Sequence, residues 1–461
     1  MTTASTARDP QARDESALAS ATRKVAWRLS PFLGLLYFIN YLDRTNISFA
    51  GPNGMNKDLG LTQQMFGLAS GVFFIGYLLL EVPSNMALHR FGARRWIARI
   101  MVTWGVVAAA MTFVPNAGWL YSLRFLLGIA EAGFFPGIIL YLTYWFPQKD
   151  RARVTALFMM AVPLSSAIGA PLSSLLIEYG NGLFGLAGWR TMFLLEGIPA
   201  VIVGVVCWFY LTDRPVDAKW LTDPERAALA DAMDRDDSAK SARFHVSIRE
   251  SLTRPRVWAL AFVYFGAVYG LYALGFFLPT IIKGFEQQFG TNYTILERGF
   301  INAIPYVLGT VAMLVWARHG DRRQERVWHV ALPLFVGGAA IPVALYLGNP
   351  LMAMIAVSIC AMSVMAALPT FWALPTTFLA GAAAASGLAL INSIGNLAGF
   401  AAPYITGWLA DLTGNQKSGL WVVGLTMIAS GVLALVLKAA PAERAERGHA
   451  PQDRAPHDAP T

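Results

Sequence analysis

Two charged residues stand out in the apolar segment "YSLRFLLGIAEAGFFPG", namely Arg124 and Glu131. Their spacing of seven is almost two helical turns, so both face one side of a helix, roughly 10 Å apart along its axis. A guanidinium is a natural clamp for carboxylates, and a carboxyl group in a dry cavity holds its proton to higher pH. The pattern predicts a site for an organic anion and a proton. A buried ion-pair network that orients the helix is the structural alternative.

A second acid and base, Asp43 and Arg44, are adjacent in "FINYLDRTNISFA". Neighbours on a helix point about 100° apart, so they cannot serve the same partner. We expect Arg44 to bind substrate or a carboxylate on the span of Glu131, and Asp43 to bind the proton. A structural charge pair between the two spans is the alternative.

Polar and aromatic side chains in other spans could complete a pocket. Asn392 and Asn396 are four residues apart and share one helix face. Buried asparagine needs hydrogen-bond partners, so we expect at least one to face a cavity. Tyr77 and Trp372 are further candidates for substrate binding, with ordinary packing as the alternative for each aromatic ring.

Two basic loops could control a conformational change. "HRFGARR" contains Arg90 and Arg94, and "RHGDRRQER" contains Asp321 and Arg322. These groups are too costly to enter a bilayer, but they can pair with acids at helix ends and hold one conformation shut. We expect a gating role, with the setting of topology as the alternative.

The elements that position these residues are predicted to be transmembrane helices. Of 461 residues 56% are hydrophobic and 14% charged, against about 25% charged in soluble domains. Apolar runs of about twenty residues recur, each long enough to cross a bilayer. We therefore expect an all-α membrane protein with twelve spans. They are 27–49, 64–88, 96–114, 118–145, 152–178, 190–211, 257–283, 299–318, 328–347, 351–378, 384–411 and 419–438.

The net charge of +8 is distributed over alternate loops. This positive-inside bias argues against nucleic-acid binding and places both termini in the cytoplasm. The polar start of the chain and the length of the first apolar run argue against a cleavable signal. Cys207 and Cys360 lie in apolar spans, which predicts neither a disulfide framework nor a metal site.

The two halves of the chain repeat one design. "HRFGARR" follows the second span and "RHGDRRQER" the eighth, while "SSAIGAPL" in span five is echoed by "SIGNLAGFAAP" in span eleven. Parallel six-helix repeats around a central cavity are typical of one large class of secondary transporters. The predicted parts are an N-terminal tail (1–26), a six-helix bundle (27–212), a cytoplasmic linker (213–256), a second bundle (257–438) and a C-terminal tail (439–461).

The combination of motifs resembles the major facilitator superfamily, and within it the anion:cation symporter family. The similarity extends over residues 27–438 and includes "YLDRTNISFA", "EVPSNMALHRFGARRWIARIMVTWG" and "LINSIGNLAGFAAPYITGWLADLTG". The bacterial tartrate, phthalate and 4-hydroxyphenylacetate carriers are the most similar group. The first loop departs from the superfamily pattern, because Asn85 and His89 stand where Gly and Asp are usual.

The resemblance implies proton-driven uptake of a carboxylate by alternating access. It implies that Asp43 and Glu131 bind protons, whereas Arg44, Arg124 and pocket residues contact substrate. An aromatic or tartrate-like acid is the expected substrate; a sugar acid, export or exchange, and a carboxylate sensor are the alternatives. The chain has no phosphate loop, no metal-ligand cluster and no nucleophile beside a base, so we expect neither an enzyme nor a cofactor. We expect a monomer in the bacterial inner membrane.

Overall fold

The computed structural model describes residues 10–241, 254–323, 325–375 and 382–439, and this part of the chain is helical throughout. Twelve long helices form the fold, and α4 and α5 are each broken into two segments. In chain order they are α1 (Pro10–Thr45), α2 (Gln63–Phe91), α3 (Ala93–Ala110), α4 (Ala117–Glu131 and Phe134–Trp145), α5 (Gln148–Met159 and Ala161–Tyr179), α6 (Gly188–Tyr210), α7 (Pro255–Phe289), α8 (Ile295–Arg323), α9 (Val327–Val343), α10 (Pro350–Trp372), α11 (Ala382–Thr413) and α12 (Lys417–Ala439).

Shorter helical elements lie in the connections. A linker helix covers Asp223–Ser241, and a π-helix at Gly51–Met55 lies between two short helices, Ile47–Ala50 and Asn56–Asp58. The remaining short elements are 3-10 helices at Met111–Phe113, Leu183–Gly185, Pro215–Asp217 and Ala344–Tyr346.

Eleven of the long helices, α2 to α12, are long and apolar enough to cross a membrane. Helix α1 contains 36 residues and carries Arg28, Asn40, Asp43 and Arg44, which lower its mean hydropathy. At 1.5 Å per residue it is still about 54 Å long, more than a bilayer core requires. We therefore count α1 as the twelfth span, and the predicted all-α fold is confirmed.

The helices pair in the same way in both halves. In the first half α1 packs on α5, α2 on α4 and α3 on α6; in the second α7 packs on α11, α8 on α10 and α9 on α12. Between the halves α2 packs on α11, and α5 packs on α8. Each contact thus has a counterpart six helices later, which is the pairing that the internal repeat predicts.

The two halves meet at the end of the bundle that carries the α1–α2 and α7–α8 connections, here called the distal end. The Asp411 carboxylate accepts hydrogen bonds from the backbone N–H groups of Gln63 and Gln64, at 3.0 and 2.8 Å. In the corresponding place Glu178 accepts from Leu296 N–H at 2.7 Å. Acids from α11 and α5 therefore cap the first turns of α2 and α8, where a negative charge is stabilising.

Small residues bring the same helices close together. Gly67 lies directly against the carbonyl of Pro403, and Gly299 lies against Ser174. A Cβ atom at either glycine would collide with these neighbours, so only glycine permits this approach. Both glycines follow the capped positions by three residues, which makes the two contacts symmetric equivalents.

Three local differences separate the structure from the predicted spans. Helix α1 begins at Pro10, within the range predicted as a tail, because Lys24 and Ser20 bond to Glu225 of the linker helix, at 2.8 and 2.7 Å. Span four is interrupted at Gly133, whose φ of 83° lies in the region that favours glycine. Span five is interrupted at Met160.

The predicted domain boundaries stay predictions. The linker helix lies inside the predicted linker 213–256, of which residues 242–253 are outside the described part. Residues 1–9 of the predicted N-terminal tail and residues 440–461 of the predicted C-terminal tail are likewise outside it.

Candidate functional site

A buried ion pair lies at the centre of the first half. Arg44 Nη2 contacts Glu131 Oε2 at 3.1 Å, and Asn40 Nδ2 donates to the same oxygen at 2.8 Å. Glu131 and Asn40 have no exposed surface, whereas 8% of Arg44 is exposed. The second Glu131 oxygen, Oε1, has no hydrogen-bond partner among the described residues. The pair therefore has spare acceptor capacity on the acid and some accessible surface on the base.

Aromatic rings surround the Arg44 guanidinium. Its carbon lies 5.0 Å from the Phe73 ring centroid and 5.3 Å from that of Tyr77, at cation–π distance. Tyr272 of α7 is an electrostatic neighbour of Arg44 and also contacts Phe74 of α2, with ring centroids 4.5 Å apart. Arg44 consequently lies where the two halves face each other.

Arg124 has a different environment from Arg44. It has no exposed surface, and it donates to the backbone carbonyls of Ala69, Arg44 and Ser70 at 3.2, 3.4 and 3.5 Å. The Arg44 carbonyl belongs to the last turn of α1, where carbonyls lack partners within the helix. Arg124 thus ties α4 to α1 and α2. Its role in substrate binding stays a prediction.

Asp43 faces away from Arg44, as the 100° angle between helix neighbours predicts. Trp104 Nε1 of α3 donates to Asp43 Oδ2 at 2.8 Å, and Asn46 Nδ2 lies 3.5 Å from Oδ1. Asp43 has no exposed surface and lies inside the first half. The assigned role of Asp43 as a proton site stays a prediction, and the structure gives it an interior location.

The candidates from the second half lie nearer the end that carries the chain termini. Asn392 Nδ2 donates to Glu81 Oε1 of α2 at 3.3 Å, which joins the two halves. Asn396 is half-buried one turn further along α11. The Trp372 ring packs on the Tyr264 ring with centroids 4.8 Å apart. Of the three residues, Asn392 thus contacts the other half. Contact of Asn392, Asn396 or Trp372 with a substrate stays a prediction.

The described contacts of the basic loops lie within their own halves. Arg94 N–H donates to Asp213 Oδ1 at 2.8 Å, and Asp321 contacts Arg326 at 3.1 Å. Arg90 lies 5.6 Å from the Phe91 ring centroid and is exposed, as is Arg322. Their gating role stays a prediction.

Sequence reasoning missed several residues that complete the site. Asn40 lies one helical turn before Arg44, so the two side chains share a helix face. That spacing was a signal that Asn40 could also contact Glu131. Phe73 lies one turn before Tyr77 in the same way. The distal acids Asp411 and Glu178 gave no signal, because their partners are backbone groups more than 100 residues away.

Comparisons with known proteins agree with this architecture. "Putative tartrate transporter" from Agrobacterium vitis is 50% identical over 419 residues, which cover 91% of this chain and 91% of that protein. "Putative metabolite transport protein NicT" from Pseudomonas putida is 40% identical over 417 residues, covering 90% and 94%. These relatives are consistent with the predicted anion:cation symporter group.

A solved structure shares the fold. The xylose transporter XylE from E. coli, in a partially occluded inward open conformation, superimposes with a TM-score of 0.68 at 14% identity, covering 90% of this chain and 99% of that chain. The family described as Major Facilitator Superfamily matches residues 33–403. With twelve helices in two similarly paired halves and a match over most of its length, the chain belongs to the Major Facilitator Superfamily of transporters.

Proposed function

We propose that the protein takes up a small organic carboxylate together with protons. A tartrate-like hydroxy acid or an aromatic carboxylate is the proposed substrate, and the protein works as a monomer in the bacterial inner membrane. The observation that carries the proposal is the Arg44–Glu131 pair, since it holds a guanidinium and a carboxylate 3.1 Å apart in the interior, beside aromatic rings of both halves. The names of the tartrate and NicT relatives support a small metabolite as cargo.

The pair supplies a mechanism for coupling. In the empty carrier Glu131 forms an ion pair with Arg44. A substrate carboxylate must therefore compete with the Glu131 carboxylate for the Arg44 guanidinium. Protonation of Glu131 removes its charge and frees Arg44 for the substrate. The proton and the anion then bind together. An unpaired Arg44 guanidinium, or a Glu131 carboxylate displaced by substrate and still ionised, would each be a costly buried charge.

The contacts between the halves suggest the conformational state. With both termini in the cytoplasm, the distal end faces outward, and the Asp411 and Glu178 caps hold that side closed. Substrate would then leave on the cytoplasmic side. Opening of the distal end would break both caps and separate α2 from α11 and α5 from α8.

Proteoliposomes test the proposal directly. Wild-type protein is reconstituted, a pH gradient with an alkaline interior is imposed, and uptake of radiolabelled L-tartrate, phthalate, 4-hydroxyphenylacetate and galactonate is measured. We expect one class of acid to accumulate only while the gradient lasts, and Arg44→Gln to abolish its accumulation. If none of the acids accumulates, or accumulation ignores the gradient, proton-coupled carboxylate uptake is wrong.

A further inference from the structure

Asn40 is a buried amide beside the Arg44–Glu131 pair, and the coupling proposed above gives it no role. It lies on α1 one helical turn before Arg44 and has no exposed surface. Its Nδ2 group donates to Glu131 Oε2 at 2.8 Å, and Arg44 Nη2 contacts the same oxygen at 3.1 Å. Glu131 Oε2 is therefore shared by a charged donor and a neutral one.

The other oxygen atoms of Asn40 and Glu131 lack a donor. Asn40 Oδ1 and Glu131 Oε1 are both buried, and neither has a hydrogen-bond partner among the described residues. A buried acceptor without a partner is costly. Asn40 thus holds an acceptor that none of the described groups uses, next to an acid that has to bind a proton in the proposed mechanism.

An asparagine amide can bond to either protonation state of a neighbouring carboxyl group. Its NH2 group donates to a carboxylate, and its carbonyl oxygen accepts from a carboxylic acid. A half-turn of the amide exchanges the two atoms with little change of shape, so Oδ1 would take the place of Nδ2 beside Glu131 Oε2. The proton of a neutral Glu131 would then lie on Oε2, the oxygen that Arg44 contacts.

The two hydrogen bonds differ in strength. A hydrogen bond to an ionised carboxylate contributes more than one between neutral groups, so Asn40 stabilises the charged form of Glu131 more than the neutral acid. Other groups also act on the charge of Glu131, and a change at Asn40 leaves them in place. The charged or titratable groups that face Glu131 are Tyr37, Asp43 and Arg44 of α1, Tyr77 of α2 and Arg124 of α4.

We infer that Asn40 is a positioning residue that sets the pH at which Glu131 takes up its proton and places that proton on the oxygen facing Arg44. The inference rests on the proposed coupling through Glu131. Asn40 acts through Glu131, so its side chain needs no contact with the substrate. A purely structural tie between α1 and α4 and a direct contact with the anion are the roles that the experiment must exclude.

Infrared spectra of the purified protein, recorded along a pH titration without tartrate, test the inference. Protonated Glu131 is identified as the buried carboxyl band that Glu131→Gln removes. Asn40→Leu has neither donor nor acceptor, and we expect it to move the midpoint of that band to higher pH by about one unit, a roughly tenfold change in proton affinity. Asn40→Asp keeps the shape but places a second carboxyl group beside Glu131 Oε2, so the pair should take up its first proton at a still higher pH.

Thr112→Val is the matched control for the loss of a buried polar group. Thr112 has no exposed surface, and its hydroxyl donates to the backbone carbonyl of Arg190 on α6 at 3.1 Å. This variant should lose stability without moving the midpoint, which is also what a purely structural Asn40 would do. A wild-type midpoint in both Asn40 variants, or a wild type that shows no Glu131 band, would overturn the inference. So would an Asn40→Leu variant that binds tartrate more weakly at every pH while its midpoint is unchanged, because Asn40 would then contact the anion.

The titration also separates this inference from the proposed function, since it requires neither tartrate nor transport. A shifted midpoint in a protein that accumulates no carboxylate would refute the proposed uptake and support the role of Asn40. Gradient-driven accumulation together with an unshifted midpoint would refute the role of Asn40 alone.

Discussion

Neutralising Glu131 should tighten substrate binding rather than weaken it. In the structure Arg44 Nη2 and Glu131 Oε2 are 3.1 Å apart, and at an effective dielectric constant of about 20 their attraction is about 5 kcal/mol before desolvation. A hydrogen bond to a charged group contributes about 2 kcal/mol net. Glu131→Gln removes this competitor for Arg44, so we expect the Kd for L-tartrate at neutral pH to fall roughly thirtyfold.

The pH dependence of binding should disappear in the same variant. In the wild type, acidification protonates Glu131 and frees Arg44, so affinity for tartrate should rise as pH falls. Glu131→Gln has no proton to bind at this position, so its affinity should be nearly constant with pH. It should exchange tartrate across the membrane but should not accumulate tartrate in response to a pH gradient.

Isothermal titration of purified protein over a range of pH measures both effects. Glu297→Gln is again the control, since the same change of side chain at an exposed capping position should leave Kd and its pH dependence at wild-type values. An unchanged Kd together with an unchanged pH profile in Glu131→Gln would show that Glu131 does not compete with the anion. Weaker binding in Glu131→Gln would instead mean that Glu131 supports substrate directly.

Three further perturbations have defined outcomes. Arg124→Lys should lose most of the hydrogen bonds to backbone carbonyls and lower the free energy of unfolding by about 2 kcal/mol. Melting curves recorded with and without tartrate should show the same decrease in Tm. Asp411→Asn combined with Glu178→Gln should increase the distance between two spin labels placed at the distal end, one on each half. Each cap contributes about 1 kcal/mol to the stability of the closed distal end. Burial opposes ionisation of Glu225, but hydrogen bonds from Lys24, Ser20 and Thr222 hold its pKa at about 2, below 4.5. The protection factors of the linker-helix amides, which are exchange rates corrected for the intrinsic rate at each pH, should therefore be highest above about pH 4.5 and fall as pH falls towards 2. They should also be lower at neutral pH in Glu225→Gln.

The long apolar runs and the internal repeat predicted the fold, but they did not predict the direction of each charged side chain. The 100° angle between neighbours correctly predicts that Asp43 and Arg44 serve different partners. Which of them faces the other half depends on the rotation of α1, which its packing on α5 and α6 sets. That rotation turns Asp43 towards Trp104 of α3 and Arg44 towards Glu131 of α4. Likewise Arg124 and Glu131 lie on one helix, yet two turns bring one beside α2 carbonyls and the other beside Arg44.

The start of α1 shows why long-range partners escape a sequence reading. Its first turns are polar, which is typical of a solvated tail, and the prediction placed the tail boundary at residue 26. In the structure Lys24 bonds to Glu225, 201 residues later, and Ala21 and Val25 have no exposed surface. The local composition contains no signal for a helix whose partner is the linker.

The surroundings of Glu196 likewise depend on contacts that the local sequence does not show. This residue lies on α6, which packs chiefly on α3. Glu196 is 3% exposed and accepts a hydrogen bond from Ser173 of α5 at 2.7 Å. Adjacent residues of α1 thus have different surroundings: Asp43 bonds to Trp104 inside the first half, and Arg44 pairs with Glu131 where the two halves face each other. Because Asp43 and Glu131 are themselves electrostatic neighbours, a change of charge at one acts directly on the other.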